Sequence, residues 1–285
     1  MSQTALLHRH DQLSSTLDQL HRLAEAGAVE GTAVVAVEQT AGRGSRGRTW
    51  HSPRGGLWLS WLCRPRSVVA GEVLSLRVGM AIASVLDQLG DLPVVELKWP
   101  NDVLIGGKKV AGILCEARWQ GGEPGWIAVG IGLNVQNPVP DEVGSTATRL
   151  GDFCADVTAD SFLAVLLPAL NRITALPPRL TVAELASFAG RDFLKDRALR
   201  EPVAGVARGI DYSTYVVLSC NAGAAHPAVW VNRVGLDAPT RRLTGTSGFG
   251  IPSCTVSIAV SALPFHAGPP RPIVAASGRR GVIGE

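Results

Sequence analysis

Three short stretches carry side chains suited to handling an anion. In GRGSRGRTW (42–50), three arginines and three glycines share nine positions that end on a tryptophan. Glycine-rich backbone can turn its N–H groups into an anion-binding nest, and Arg43, Arg46 and Arg48 can add charge-assisted hydrogen bonds to carboxylate or phosphate. Trp50 suits either a purine face or a place in the core. In KWPND (98–102), a cation and two oxygen-bearing side chains flank a proline turn. Asp102 is either a Mg²⁺ ligand working beside phosphate oxygens or the start of an Asx turn. Lys109 opens an apolar run after Gly106-Gly107 and is either an edge-strand charge or a cation aimed at developing negative charge. A solvated basic turn and an Arg/Gly patch for nucleic acid are the competing readings of the first stretch. The Walker pattern is absent, and the dinucleotide fingerprint is not met by a loop crowded with arginine.

The elements that must position these residues follow from periodicity. SSTLDQLHRLAEAG predicts a helix with Ser or Thr at its start, apolar residues at helical spacing and Gly27 at its end. TAVVAVEQ predicts a buried strand running straight into the Arg/Gly loop. GGLWLSWLCR alternates and predicts the next strand, and LSLRVGMAIASVLDQLG predicts a helix. VVELKW is a strand, and VLI and KKVAGILCEA form a hairpin about Gly106-Gly107. GWIAVGIGLNV is a strand whose glycines admit a close neighbour, and TADSFLAVLLPALNRITAL is an amphipathic helix. Hairpins mixed with a few helices point to an α+β fold with a mixed sheet and flanking helices.

Composition excludes several classes. The chain has 285 residues, 46% of them hydrophobic, and a formal charge of +3 that is too small for a general nucleic-acid binder. It contains no apolar run long enough to span a bilayer and no signal-peptide pattern at Met1, so no membrane role and a cytoplasmic location are expected. Five cysteines stand singly and six histidines show no ligand spacing with them, so structural zinc is not expected. Cys115, inside VAGILCE, reads as a small buried hydrophobe rather than a nucleophile.

Taken together, SST (14–16), EQTAGRGSRGRTW (38–50), SPRGGLWLS (52–60), LKWPNDVLIGGKKVAGILCE (97–116), VGIGLNV (129–135) and GVARGID (205–211) occur in this order and spacing. Through them the chain closely resembles the biotin–protein ligases over roughly residues 6–211. The resemblance implies a class II synthetase-like catalytic domain over 1–183, and the start of a small SH3-like β-barrel over 184–211. It implies biotin contacts at Ser15, Thr16 and Gln39, and a closing loop that carries Arg43, Gly44 and Ser45. It places Lys109 against the reacting carboxylate and phosphate. Arg46, Arg48, Trp50, Asn134 and Arg208 fall on the nucleotide side, and Lys98 and Asp102 in the phosphate and Mg²⁺ region. Lys109, Arg43 and Lys98 are the candidate catalytic residues. Two positions depart from the family pattern: Leu17 stands where Asn is usual, and Ser45 where a basic residue is frequent.

The implied reaction joins biotin to ATP as biotinyl-5′-AMP and then passes biotin to a lysine of a biotin carboxyl carrier protein. Lipoate–protein ligase chemistry uses the same adenylate logic on a related fold and is the alternative reading. A nucleic-acid-binding Arg/Gly protein would need further RGG repeats, which the chain lacks. Only 14 residues precede Ser15, too few for a helix-turn-helix domain, so no DNA binding is expected.

Residues 212–285 differ in kind. They hold no lysine, six arginines, two acidic residues, nine glycines and seven prolines. A shifted reading frame in a GC-rich gene would produce this change and leave a disordered tail. A divergent barrel is the other reading, supported by the β-rich TYVVLSC and AVWVNRV.

Overall fold

The computed structural model describes residues 5–67, 70–71, 73–120, 123–199 and 205–210, and the backbone of 216–219 and 229–231. Seven strands form the main sheet: β1 (Leu7–Leu13), β2 (Ala33–Gln39), β3 (Leu57–Cys63), β4 (Val95–Lys98), β5 (Asp102–Ile105), β6 (Lys108–Gln120) and β7 (Glu123–Leu133). Their order is β1-β2-β3-β7-β6-β5-β4. β1 and β2 are parallel, and every other neighbouring pair is antiparallel. This is the mixed sheet expected. β3 was expected to alternate, yet all seven of its residues are buried. It lies between β2 and β7 with helices on both faces, so both sets of its side chains meet apolar neighbours. β1 was not foreseen: LHRHDQL is a polar edge strand whose only ladder partner among the described residues is β2.

Helix α1 (Thr16–Glu25) starts at Ser15 and ends before Gly27, whose φ is +91°. It covers one face of the sheet with Leu17, Leu20 and Ala24 against Val34, Leu62, Trp126 and Ala128. Helices α2 (Leu74–Leu86) and α3 (Ala159–Ile173) lie on the other face and enclose the larger apolar cluster, which includes Leu59, Trp61, Ile82, Ile113, Val129, Phe162 and Leu166. A short helix α4 (Val182–Ala189) carries a capping box, Thr181 with Glu184. Glu184 also receives Arg77 of α2 at 2.7 Å, so an almost fully buried guanidinium ties the two helices together. Among the described residues no helix is long and apolar enough to cross a membrane.

A second sheet has the order β11-β10-β9-β8, built from β8 (Ala198–Leu199), β9 (Gly205–Ile210), β10 (Val216–Ser219) and β11 (Val229–Val231). The last two strands lie within TYVVLSC and AVWVNRV. The rest of 212–285 lies outside the described residues, and so does the expectation made for that segment.

Candidate active site

The site lies on the α1 face, where the apolar cover of that helix stops. Side chains alternate along a strand. Glu116, Leu114 and Gly112 of β6 therefore point to this face, beside Ala128, Gly130 and Gly132 of β7. The glycines make a floor. A Cβ added at Gly132 would lie 2.4 Å from Trp50 Nε1, and one at Gly112 would lie 2.9 Å from the Trp50 ring and 3.1 Å from Lys109 Nζ. Only strands without side chains at these two points let Trp50 come this close to the sheet. Trp50 Nε1 is buried and has no hydrogen-bond acceptor among the described residues. A buried donor left open in this way costs free energy until something accepts from it.

One end of the floor is polar and neutral. Gln39, at the end of β2, accepts from the Thr16 backbone N–H at 2.8 Å and from the Thr16 hydroxyl at 3.0 Å. Its amide nitrogen donates to Ser52 Oγ at 2.9 Å. Ser60 of β3, fully buried, donates to Thr16 Oγ1 at 2.8 Å. Ser15 is buried at the α1 N-terminus beside them. In sequence Ser60 looks like one more residue of a buried strand, and its signal is a lone hydroxyl in LWLSWLC.

The other end is cationic. β5 and β6 meet in the expected hairpin, with positive φ at both Gly106 and Gly107. β6 is an interior strand, which overturns the reading of Lys109 as an edge-strand charge. The register between β5 and β6 slips by one residue beside Val103 and Leu104, a bulge that re-aims the Lys109 side chain. The Lys109 backbone is clamped as well. Its N–H donates to Thr146 O, and its carbonyl accepts from Thr148 N. Lys109 Nζ sits 2.5 Å from Asp102 Oδ1 and 5.0 Å from the centre of the Trp50 ring. Asp102 begins β5 rather than standing in the turn, which is formed by Trp99, Pro100 and Asn101.

Lys98 pairs across the ladder with Asp102, and its ammonium rests 5.6 Å from the Phe193 ring centre. Asn134 is buried, and its amide is engaged on both sides: it donates to Thr148 O and accepts from Asn137. Arg208, on β9, pairs with Asp196 at 2.6 Å. Leu17 covers the Gly130 part of the floor from the α1 core: a Cβ added at Gly130 would lie 3.0 Å from its side chain, so a polar residue at 17 would be desolvated under the helix.

The Arg/Gly loop closes on itself through Gly44 N–H to Arg48 O, at 2.7 Å, and a bridge between Arg43 and Thr49. Arg46 takes a left-handed conformation with φ +61°, and Arg48 donates to Ser45 Oγ at 3.1 Å. Arg43 leaves the loop surface and forms a fork with Glu116, Nε to Oε1 at 3.2 Å and Nη2 to Oε2 at 3.1 Å. Its Nη1 reaches Asp18 at 2.8 Å. Burial alone would raise the Glu116 carboxyl, but hydrogen bonds from His21 and Arg43 and the Arg43 charge outweigh it and lower it to about 2. The buried Cys115 thiol is pushed up to about 12 by desolvation, which keeps it neutral and inert.

The comparisons with known proteins point to one family. Residues 10–134 match the biotin/lipoate A/B protein ligase family. The chain is 42% identical over 146 residues to the bifunctional ligase/repressor BirA of Bacillus subtilis, covering 50% of this chain and 45% of that protein. It thus spans less than half the length of that relative. It is 34% identical over 207 residues to the biotin--[acetyl-CoA-carboxylase] ligase of Paracoccus denitrificans, covering 67% of this chain and 85% of that protein. Among solved structures, the biotin protein ligase from Aquifex aeolicus in complex with biotin and ATP is similar with a TM-score of 0.64 and 28% identity, over 75% of this chain and 92% of that one. Identity of 34% over 85% of a biotin--[acetyl-CoA-carboxylase] ligase, with the fold shared with a solved biotin protein ligase, places the chain in the biotin–protein ligase branch of the biotin/lipoate A/B protein ligase family.

Proposed function

We propose that the protein activates biotin with ATP and transfers it to a lysine of a biotin carboxyl carrier protein or carrier domain. The observation that carries this is the polarity of the floor. A neutral hydrogen-bonding cluster (Thr16, Gln39, Ser60) stands at one end and a clamped ammonium (Lys109) at the other, with bare sheet and an indole between. Biotin has that pattern: a neutral ureido group, an apolar body and a carboxylate.

In the first step a biotin carboxylate oxygen attacks the α-phosphorus of ATP, and pyrophosphate leaves with the electron pair of the broken P–O bond. Lys109 opposes the repulsion of the two anions and the charge that grows between them. Arg43, Arg46 and Arg48 place the loop over the phosphates, and Gly44 and Ser45 bring its backbone close. The adenylate hydrolyses readily in water, so a covering loop also protects it. In the second step the carrier lysine, as the free amine, attacks the acyl carbon; the amide forms, AMP leaves and the amine loses a proton. Trp50, Asn134 and Arg208 are assigned to the nucleotide side, and Lys98 to the phosphate region.

The donor set fits Mg²⁺ only as an ion carried largely by phosphate. Among the described residues no three acidic, histidine or cysteine side chains converge, and Asp102 is the one carboxylate beside Lys109. Mg²⁺ commonly binds one or two carboxylates together with phosphate oxygens. When bound there it supplies positive charge against the phosphates.

ATP–pyrophosphate exchange driven by biotin, followed by labelling of a carrier domain, tests the proposal. Exchange with biotin and none with lipoate is expected. Exchange with lipoate alone would move the protein to the other branch of the family, and exchange with neither acid would remove the proposal.

A further inference from the structure

Glu116 is a charged residue in the middle of an apolar strand, almost fully buried, with no place in the reaction described above. Its carboxylate is nonetheless fully engaged. Arg43 forks onto both oxygens, and His21 Nε2 lies 3.1 Å from Oε2. Behind His21, the Trp126 indole N–H donates to Nδ1 at 3.0 Å. An indole can only donate. Nδ1 is therefore the acceptor, and Nε2 carries the proton that His21 gives to Glu116. Donors thus run in one direction from Trp126 through His21 to Glu116, and Arg43 meets the same carboxylate from the loop.

We propose that Glu116, backed by His21 and Trp126, is a positioning residue that latches the Arg/Gly loop to the sheet through Arg43. Three features support the latch. A bidentate fork fixes the plane of a guanidinium as well as its distance. The other partner of Arg43, Asp18, is far more exposed than Glu116, and an exposed pair of this kind holds little. The bridge from Arg43 to Thr49 and the bond from Gly44 to Arg48 make 43–49 a single closed unit, so fixing Arg43 fixes the loop. Among the described residues three of the five guanidinium N–H groups are used, two of them on Glu116. His21 and Glu116 stand on α1 and β6 respectively, so the latch also sets the loop against the helix that carries Thr16.

The latch rests on the proposed function only for what the loop covers, and two measurements separate them. Trypsin cleavage after Arg46 or Arg48 needs no substrate. Glu116→Gln keeps the shape of the side chain and removes its charge. It is expected to speed loop cleavage about tenfold relative to cleavage elsewhere in the chain, well below the melting midpoint, because local opening is what the latch opposes. In exchange assays Glu116→Gln should lower kcat/KM about tenfold, chiefly through KM for biotin, since the groups at the reacting atoms remain. Arg43→Ala combined with Glu116→Gln should be no worse than Arg43→Ala alone, because Glu116 acts through Arg43. If Arg43→Ala does not fold, His21→Phe takes its place: it leaves Arg43 intact, removes one donor from the carboxylate, and should raise loop cleavage severalfold. Unchanged loop cleavage in Glu116→Gln, or additive losses in the double variant, would overturn the latch. Faster loop cleavage in a protein that drives no exchange would leave the latch standing and remove the function instead.

Discussion

On one face of the seven-stranded sheet, α2 and α3 cover an apolar layer that takes in Trp61, Ile113, Val129 and Phe162. On the other, α1 packs Leu17, Leu20 and Ala24 on Val34, Leu62, Trp126 and Ala128, and past its edge the sheet presents Gly112, Gly132, Ser60 and Glu116. β3 contributes to both, with Leu59 and Trp61 on one side and Ser60 and Leu62 on the other. The strand pleat lets one sequence serve two purposes. The α2/α3 face supplies burial that holds the sheet together, and the α1 face leaves room and polar groups for a ligand.

The sharpest way to break that division is to damage each face in turn. Phe162→Ala empties a fully enclosed site under α3 and should cost about 3–5 kcal/mol of unfolding free energy in a urea titration. Its exchange activity, measured at low temperature where the variant is still folded, should be close to that of the native protein. Lys109→Ala should do the reverse. Loss of one charge donor at the reacting centre typically lowers the rate about 10²–10³-fold, so single-turnover adenylate formation should fall by that much with the unfolding midpoint little changed. Equal adenylation in Lys109→Ala would take that residue out of the site. Lys108 is the internal control: its ammonium reaches Gly144 O, at 3.4 Å on the exposed side.

Acid should reveal a component of stability that belongs to the α1 face. Glu116 is held near 2 in the folded protein against an ordinary value of 4.5. A carboxyl lowered on folding stabilises fully above its unfolded value, and that stabilisation is lost as pH falls through the folded one. The loss should therefore develop between about pH 4.5 and pH 2. Glu184 and Asp152, also lowered, act in the same direction. Asp192 is raised by burial and acts against them, since it binds its proton more readily when folded. Chemical denaturation across this range should show a shallower slope in Glu116→Gln than in the native protein. Identical slopes would mean that Glu116 is not held ionised by Arg43 and His21.

The same division explains what the sequence could reveal. α1, α2, β2, β3 and the β5–β6 hairpin were legible because each has a strong apolar period or a two-glycine turn, and Lys109 and the Arg/Gly loop were legible as motifs. Glu116 and Ser60 were not. Each is a single polar letter in an apolar strand, and its meaning depends on which strand lies beside it and on the helix overhead. His21 was hidden for the same reason: it reads as a polar residue of an amphipathic helix until Trp126, 105 positions away, is seen to donate to it. β1 failed on a different ground, since an edge strand with solvent on one side has little apolar signal. α4 left a readable mark, the capping box Thr181-x-x-Glu184, which was missed.

The smallest effect expected concerns Ser45, where the family frequently has a basic side chain. Ser45 Oγ and its carbonyl both accept from Arg48, at 3.1 and 3.3 Å, so the serine already orients a neighbouring guanidinium. Arginine at 45 would add a cation to the loop and remove that acceptor hydroxyl. The two changes oppose each other, and the loop is open to solvent, where a new ionic contact is worth about 1 kcal/mol or less. Ser45→Arg should therefore slow release of biotinyl-AMP by only about threefold to fivefold, within the range that such a contact supplies. Dissociation of the adenylate from the native protein and the variant, followed by chase with unlabelled biotin and ATP, measures this directly. Equal release rates would mean that Arg48, held by Ser45, already supplies the charge. A much larger slowing would mean that the loop excludes water over the adenylate and that position 45 faces its phosphate, which would extend the division between the two faces of the sheet to the loop above them.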